Sequence, residues 1–251
     1  MEHRLSADGQ ARIALNKMLT LRLKQEIRNY ASQFIGEEIG GLLIQKNGEV
    51  QFFPCTNLSY NKNNSYILSY LDYLKAEKYG KIIAQVHSQE NDGSSLLDNI
   101  SAHDFNLYSI IYCWKSDKFY IIKPELKDYL YKDFIIGTND CFSLMRNYFK
   151  QELNIHINNF NREDNWYVIS PNLIADNFSK EGFIEIDDVG KLKTNDIFLF
   201  GNNKSELYHI GIYQGNNLFL HHPRDSKSCI EDLNLHWLNK LMVIIRHKNL
   251  L

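Results

Sequence analysis

The chain has 251 residues, 44% of them apolar and 23% charged, with a formal net charge of -2. This usage is ordinary for folded protein and excludes bulk disorder, a collagen-like repeat and a coiled coil; the near-neutral balance gives no global field for a nucleic-acid backbone. The length allows one large domain or two small ones, no apolar run reaches the ~18 residues of a membrane span, and the N-terminal MEHRLSADGQ lacks a signal-peptide core.

Leu23, Ile27, Tyr30, Ala31 and Phe34 recur at helical spacing, which predicts a helix stopped by Gly36. Ile39–Gln45 and Val50–Pro54 flank the turn Lys46-Asn47-Gly48 and read as a hairpin. The Asn-rich stretch 57–65 reads as loop. Ser69–Lys78 reads as a second helix, with Tyr70, Leu71 and Leu74 as its stripe, ending at Gly80. Lys81–His87 is a buried strand, Ser95–Leu107 a helix, and Ile110–Trp114 and Lys118–Ile122 two strands around Ser116-Asp117.

Glu125–Gly137 is charged and aromatic without a period, and the domain boundary falls there, giving domains 1–125 and 126–251. In the second half Phe142, Met145, Tyr148 and Phe149 share one face of a helix that starts at Asp140-Cys141. The polar stretch 154–165 reads as loop and 172–178 as helix. Strands follow at Asp196–Phe200, Tyr208–Tyr213, Leu218–His221 and Leu241–Arg246. Trp166 and Trp237 are core residues or cleft walls. The overall class is α+β.

The four cysteines, Cys55, Cys113, Cys141 and Cys229, are scattered and form no CxxC pair, which predicts reduced thiols. Cys141 stands apart because it sits where a loop enters a helix. Unsatisfied N–H groups and the helix dipole there favour the thiolate, and a nucleophile at that place is expected to be partly exposed. A partner base is still required. His209 qualifies, in the strand His209-Ile210-Gly211-Ile212-Tyr213, which a turn at Gln214–Asn217 returns as Leu218-Phe219-Leu220-His221-His222. Strand faces alternate. With Ile210, Ile212, Leu218 and Leu220 facing one side, His209 and His221 share the other, and His222 points away; a slip of one residue would exchange the two histidines.

These segments, DCFSL, DIFLF and HIGIYQGNNLFLHH, resemble the NlpC family of papain-like cell-wall endopeptidases. The resemblance implies Cys141 as nucleophile, His209 as general base and acid and His221 as the residue that orients it. It implies cleavage of stem or cross-link peptides of peptidoglycan, without a cofactor. Two positions depart from the family pattern. Asn195 stands where a glycine usually precedes Asp196, and Phe134 stands near the place of a tyrosine that lines the oxyanion site, with Tyr129 and Tyr131 close in sequence.

The first half carries a second series: Glu38-Ile39-Gly40-Gly41-Leu42-Leu43, then Gln85-Val86-His87-Ser88-Gln89, then Ser95-Leu96-Leu97-Asp98. It resembles the MPN/JAMM metalloisopeptidases, whose two histidines and aspartate hold zinc while a glutamate handles the proton of the bound water. Here Gln89 replaces the second histidine. His87 and Asp98 fall short of three ligands, His103 lies on another helix face, and Ser95 with Asp98 is also a helix cap. The expectation is a degenerate MPN/JAMM-like domain without metal, retaining Glu38, His87, Ser95 and Asp98 as a remnant set.

The succession of the two resembles tail assembly proteins of long-tailed bacteriophages. It implies tail-tip and hub proteins as partners, peptidoglycan peptides as substrate, no nucleic acid and no membrane span. It also implies synthesis in the host cytoplasm followed by a place at the virion tail tip. Two other roles compete: a non-enzymatic tail-tip component, and a zinc isopeptidase acting through the first domain.

Overall fold

The computed structural model describes residues 19–162 and 173–251. Trp166, the end of the predicted 154–165 loop and the N-terminal segment read for a signal peptide lie outside the described residues. The chain divides into two compact units, Met1–Leu126 and Lys127–Leu251.

In the first unit, helix α1 (Leu21–Ala31) begins at Thr20, whose side chain accepts the Leu23 N–H at 3.3 Å. It ends one turn earlier than its periodicity predicts: Ser32 closes it and Phe34 is exposed. Strands β1 (Gly40–Lys46) and β2 (Glu49–Cys55) form the predicted hairpin. Asn47 and Gly48 both take positive φ, which a two-residue turn matching strand twist requires. Helix α2 (Tyr70–Tyr79), strand β3 (Lys81–Gln89), helix α3 (Leu96–Asp104) and strands β4 (Tyr108–Cys113) and β5 (Lys118–Ile122) follow.

The sheet order is β2-β1-β3-β4-β5, with β3 and β4 parallel and α3 as the crossover between them. Both faces are covered. Leu43, Val86 and Ile110 pack with Leu23 and Ile27 of α1. On the other face Leu42 and Ile44 meet Ala76 of α2, and Ile111 and Cys113 meet Ala102 of α3. The stripe expected on α2 is displaced: Tyr70 and Leu71 are exposed, and Tyr73 and Ala76 reach the sheet instead. The difference arises because α2 lies with its small residue, not its largest ones, against the strands.

In the second unit helix α4 (Cys141–Leu153) presents Phe142, Met145, Tyr148 and Phe149 as a buried face. It packs against strand β8 (Glu206–Gly215). Helix α5 (Leu173–Lys180) and strands β6 (Phe183–Glu185), β7 (Ile197–Asn203), β9 (Leu218–His221), β10 (Cys229–Asp232) and β11 (Leu241–His247) complete it, with the short helix α6 (Leu235–Leu238). The antiparallel sheet runs β10-β9-β8-β7-β11-β6. Both β8 faces are buried, so Ile210 and Ile212 are in core, and so are Phe200 and Phe219 on the face they leave. Asn195, at the entry to β7, takes φ +79, the left-handed conformation that glycine adopts freely and asparagine tolerates. Its side-chain oxygen accepts the Tyr148 hydroxyl at 2.7 Å, tying β7 to α4.

Candidate active site

Cys141 is the first residue of α4. Its predecessor Asp140 caps the helix, accepting the Ser143 N–H at 2.8 Å and the Gly137 N–H at 2.7 Å. Arg162 grips the same carboxylate with two donors, each at 3.0 Å, and also reaches the Ser143 hydroxyl. Its guanidinium lies over the Phe142 and Phe160 rings. Burial alone would raise the Asp140 carboxyl, but the Arg162 guanidinium and the two backbone donors outweigh it and hold the group below the usual range. Nothing local in the sequence signals Arg162, which is brought in by an irregular loop.

The side chain of Cys141 departs from expectation. It is 7% exposed, and burial together with the Asp140 charge pushes its thiol up to about 12. The backbone N–H groups of Ile210 and Phe142 oppose that shift without overcoming it. The helix start therefore does not produce a resting thiolate, because desolvation of the charge outweighs the dipole.

His209 and His221 meet on one face of the β8–β9 hairpin, as strand alternation requires. Gly211 pairs with His221, so His209 is its diagonal neighbour, and Nε2 of His209 lies 2.9 Å from Nδ1 of His221. A Cβ on Gly211 would come within 2.5 Å of the Phe219 ring, so only glycine leaves the aromatic floor between the histidines undisturbed. Trp237 of α6 stacks on His209 with ring centres 5.4 Å apart and stands edge-on to His221 at 4.9 Å. Burial, followed by the neighbouring His221, His222 and Lys240, lowers His209 well below the ordinary histidine range. His221 falls to about 4, chiefly through burial and against the pull of Glu231. Both rings are neutral at rest.

The far nitrogen of His221, Nε2, faces β10: Glu231 lies 3.4 Å away and Cys229 3.7 Å away. The Trp237 indole donates to Glu231 at 3.0 Å. No local pattern in the sequence signals β10 and Trp237 as neighbours of the histidines. His222 points elsewhere, its ring edge-on to Phe134 at 5.3 Å. Phe134 brings no hydroxyl, and the buried Tyr129 donates its own to Glu152 at 2.8 Å. Tyr131 takes φ +54, and its N–H donates to the Ser228 carbonyl. Asp196 accepts Arg246 at 2.6 and 2.7 Å, which makes it an anchor for β7.

In the first unit His87 Nε2 lies 3.2 Å from Asp98. Ser95 and Asp98 form a capping box at the start of α3. Burial and the Asp98 charge raise Glu38 to about 7. Gln89 is turned to other work: its side-chain NH2 donates to the carbonyls of Asn91 at 2.8 Å and Gly93 at 3.0 Å, stapling the loop before α3. His103 contacts Asp104 on the exposed side of α3. No second imidazole joins His87 and Asp98 among the described residues, and an amide tied to two carbonyls does not fit a zinc ligand.

Residues 127–246 match the NlpC/P60 family model. The chain is 28% identical over 231 residues to "Tail tip assembly protein K" of Escherichia phage N15, covering 89% of this chain and 93% of that protein. It is 28% identical over 180 residues to "Tail tip assembly protein K" of Escherichia phage lambda, covering 70% of this chain and 87% of that protein. Among solved structures, the NlpC/P60 domain of the peptidoglycan hydrolase SagA is 18% identical with a TM-score of 0.34, covering 47% of this chain and 89% of that one.

Proposed function

We propose that this chain is a cysteine endopeptidase of a bacteriophage tail tip that opens peptide links in peptidoglycan, using Cys141, His209 and His221. The 2.9 Å contact between Nε2 of His209 and Nδ1 of His221 is the observation that carries the reading, since it pairs the proposed base with the proposed orienting residue. The family match over 127–246 and the two phage relatives support the reaction class and the setting.

Cys141 gives its proton to His209 as the sulfur bonds to the scissile carbonyl carbon. His221 accepts from the imidazolium Nε2–H, and the first-turn amides of α4 face the developing oxyanion in place of a tyrosine hydroxyl. Collapse breaks the C–N bond, and His209 returns the proton to the leaving amine. Water then attacks the thioester, its proton passes to His209, and the acid product leaves with the thiol restored. The neutral resting pair means that proton transfer accompanies attack.

The domain at 126–251 supplies this chemistry. The domain at 1–125 we read as MPN/JAMM-like and non-catalytic, because Gln89 is tied to backbone carbonyls, and as a docking unit for tail-tip and hub proteins. Synthesis in the host cytoplasm and action at the tail tip complete the reading. Digestion of purified sacculi by the full chain, lost in Cys141→Ala, is the expected result. Equal digestion by both, or by neither, overturns it. A non-enzymatic assembly role is the second reading, favoured by the burial of Cys141, and inactivity of both proteins is the result it requires.

A further inference from the structure

The sheet face that carries the two histidines also carries a second set of ligating atoms, on the side of His221 away from His209. Cys229 of β10 pairs directly with His221 of β9, and Glu231 lies two residues on, so all three side chains emerge on one face. His221 Nε2, Cys229 Sγ and a Glu231 carboxylate oxygen lie within 4.8 Å of one another. Sulfur lies 3.7 Å from nitrogen, nitrogen lies 3.4 Å from Glu231 Oε2, and sulfur lies 3.9 Å from the other carboxylate oxygen, Oε1. A tetrahedral zinc with bonds of about 2.0–2.3 Å needs edges of about 3.3–3.8 Å between such ligands. No other three His, Cys, Asp or Glu side chains converge this closely among the described residues.

The surroundings also suit a cation. His221 is fully buried, whereas the Glu231 side chain is 43% exposed, so the group opens to solvent on one side, where a water completes four ligands. The Trp237 indole donates to Glu231 Oε2, the oxygen that faces His221, and fixes the carboxylate as outer-shell donors fix metal-binding carboxylates.

We propose that His221, Cys229 and Glu231 form a site for a thiophilic divalent metal of the zinc class, with one open position. Binding releases the Cys229 thiol proton to solvent and puts the metal on Nε2 of His221. The remaining proton of that ring must then sit on Nδ1 and point at Nε2 of His209, 2.9 Å away. His209 becomes an acceptor at Nε2 and can no longer donate there, so an imidazolium at His209 loses its partner. Resting on the triad reading above, the consequence is that an occupied site opposes the peptidase. The site itself does not depend on that reading.

The test is titration of the metal-free full chain with Co2+, read by the near-ultraviolet sulfur-to-cobalt absorption, with nitrogen NMR of the histidine rings on adding Zn2+. One equivalent of Co2+ is expected to give the band. Cys229→Ser should abolish it, Cys141→Ser should retain it, and Glu231→Gln, which preserves shape, should weaken binding while keeping the band. Zn2+ should put metal on Nε2 of His221 and turn Nε2 of His209 into an acceptor. Absence of the band, or its survival in Cys229→Ser, overturns the site. An unchanged His209 ring on zinc binding overturns the coupling. Neither readout uses sacculus digestion, so failure of the peptidase reading appears separately in the Cys141→Ala comparison.

Discussion

Nε2 of His209 and Nδ1 of His221 share a 2.9 Å hydrogen bond across adjacent strands, while His222, next in sequence, packs its ring edge against Phe134. The two neighbouring histidines thus have different mutational outcomes. His221→Ala should lower kcat on sacculi by about 100-fold or more, because His209 loses the group that fixes its ring. His222→Ala should leave kcat nearly unchanged. The reverse ranking in a muropeptide release assay would refute the assignment.

Arg162 and Asp140 form an almost fully buried ion pair, with side chains 1% and 2% exposed. Arg162→Ala strands the carboxylate at the start of α4 and should cost about 3–5 kcal/mol by denaturant unfolding. Arg162→Lys should recover only part, since one ammonium cannot reproduce the paired contacts to Asp140 and the reach to Ser143.

The same pair sets an acid limit. The Asp140 carboxyl is held below its unfolded value, so the unfolded chain binds the proton more readily. The contribution of Asp140 is complete above the ordinary carboxylate range, about pH 4, and is lost as pH falls through the lower folded value. Thermal midpoints measured downward from pH 6 should drop most steeply below about pH 4, and the acid-side drop should shrink in Asp140→Asn. An unaltered slope in that variant would contradict the ion-pair account.

Asn195 combines a left-handed backbone with a bond to Tyr148. Asn195→Gly should lose only the hydrogen bond, about 1 kcal/mol, whereas Asn195→Ala should lose about 1–2 kcal/mol more through backbone strain. Equal losses in the two variants, by chemical denaturation, would show that conformation does not matter there.

Metal should act oppositely to a cofactor. Chelation should raise or preserve sacculus digestion, and added zinc should slow it in the natural chain. In Cys229→Ser zinc should lose that effect. Equal zinc inhibition of the variant would locate the inhibitory ion on Cys141 instead.

Local features were legible where a short period or a cap carries the information. Asp140 at the start of α4, and the shared side of His209 and His221, follow from side-chain parity within a hairpin whose loop is only a few residues. The hairpin at Asn47-Gly48 is of the same kind. Long connections hide the rest. Cys229 and Glu231 reach His221 because β10 pairs with β9, and Arg162 reaches Asp140 from 22 residues away. The raised thiol of Cys141 is not legible because a helix terminus is visible in sequence and the desolvation that opposes it is not. On α2, large apolar residues signal a buried face, yet the sheet leaves room only for Ala76 and the flank of Tyr73.

The thiol chemistry of the chain has a bearing on durability. Cys55 and Cys141 are pushed up to about 12 and Cys229 to about 11, and burial raises Cys113 as well. At neutral pH all four sulfurs are almost wholly protonated, and the protonated form is the slow one toward peroxide, alkylating agents and disulfide exchange. A thiol kept in that form ages slowly in aerated water. Under the proposed function, the desolvation that withholds charge from Cys141 protects it during any long interval between a reducing cell and a substrate.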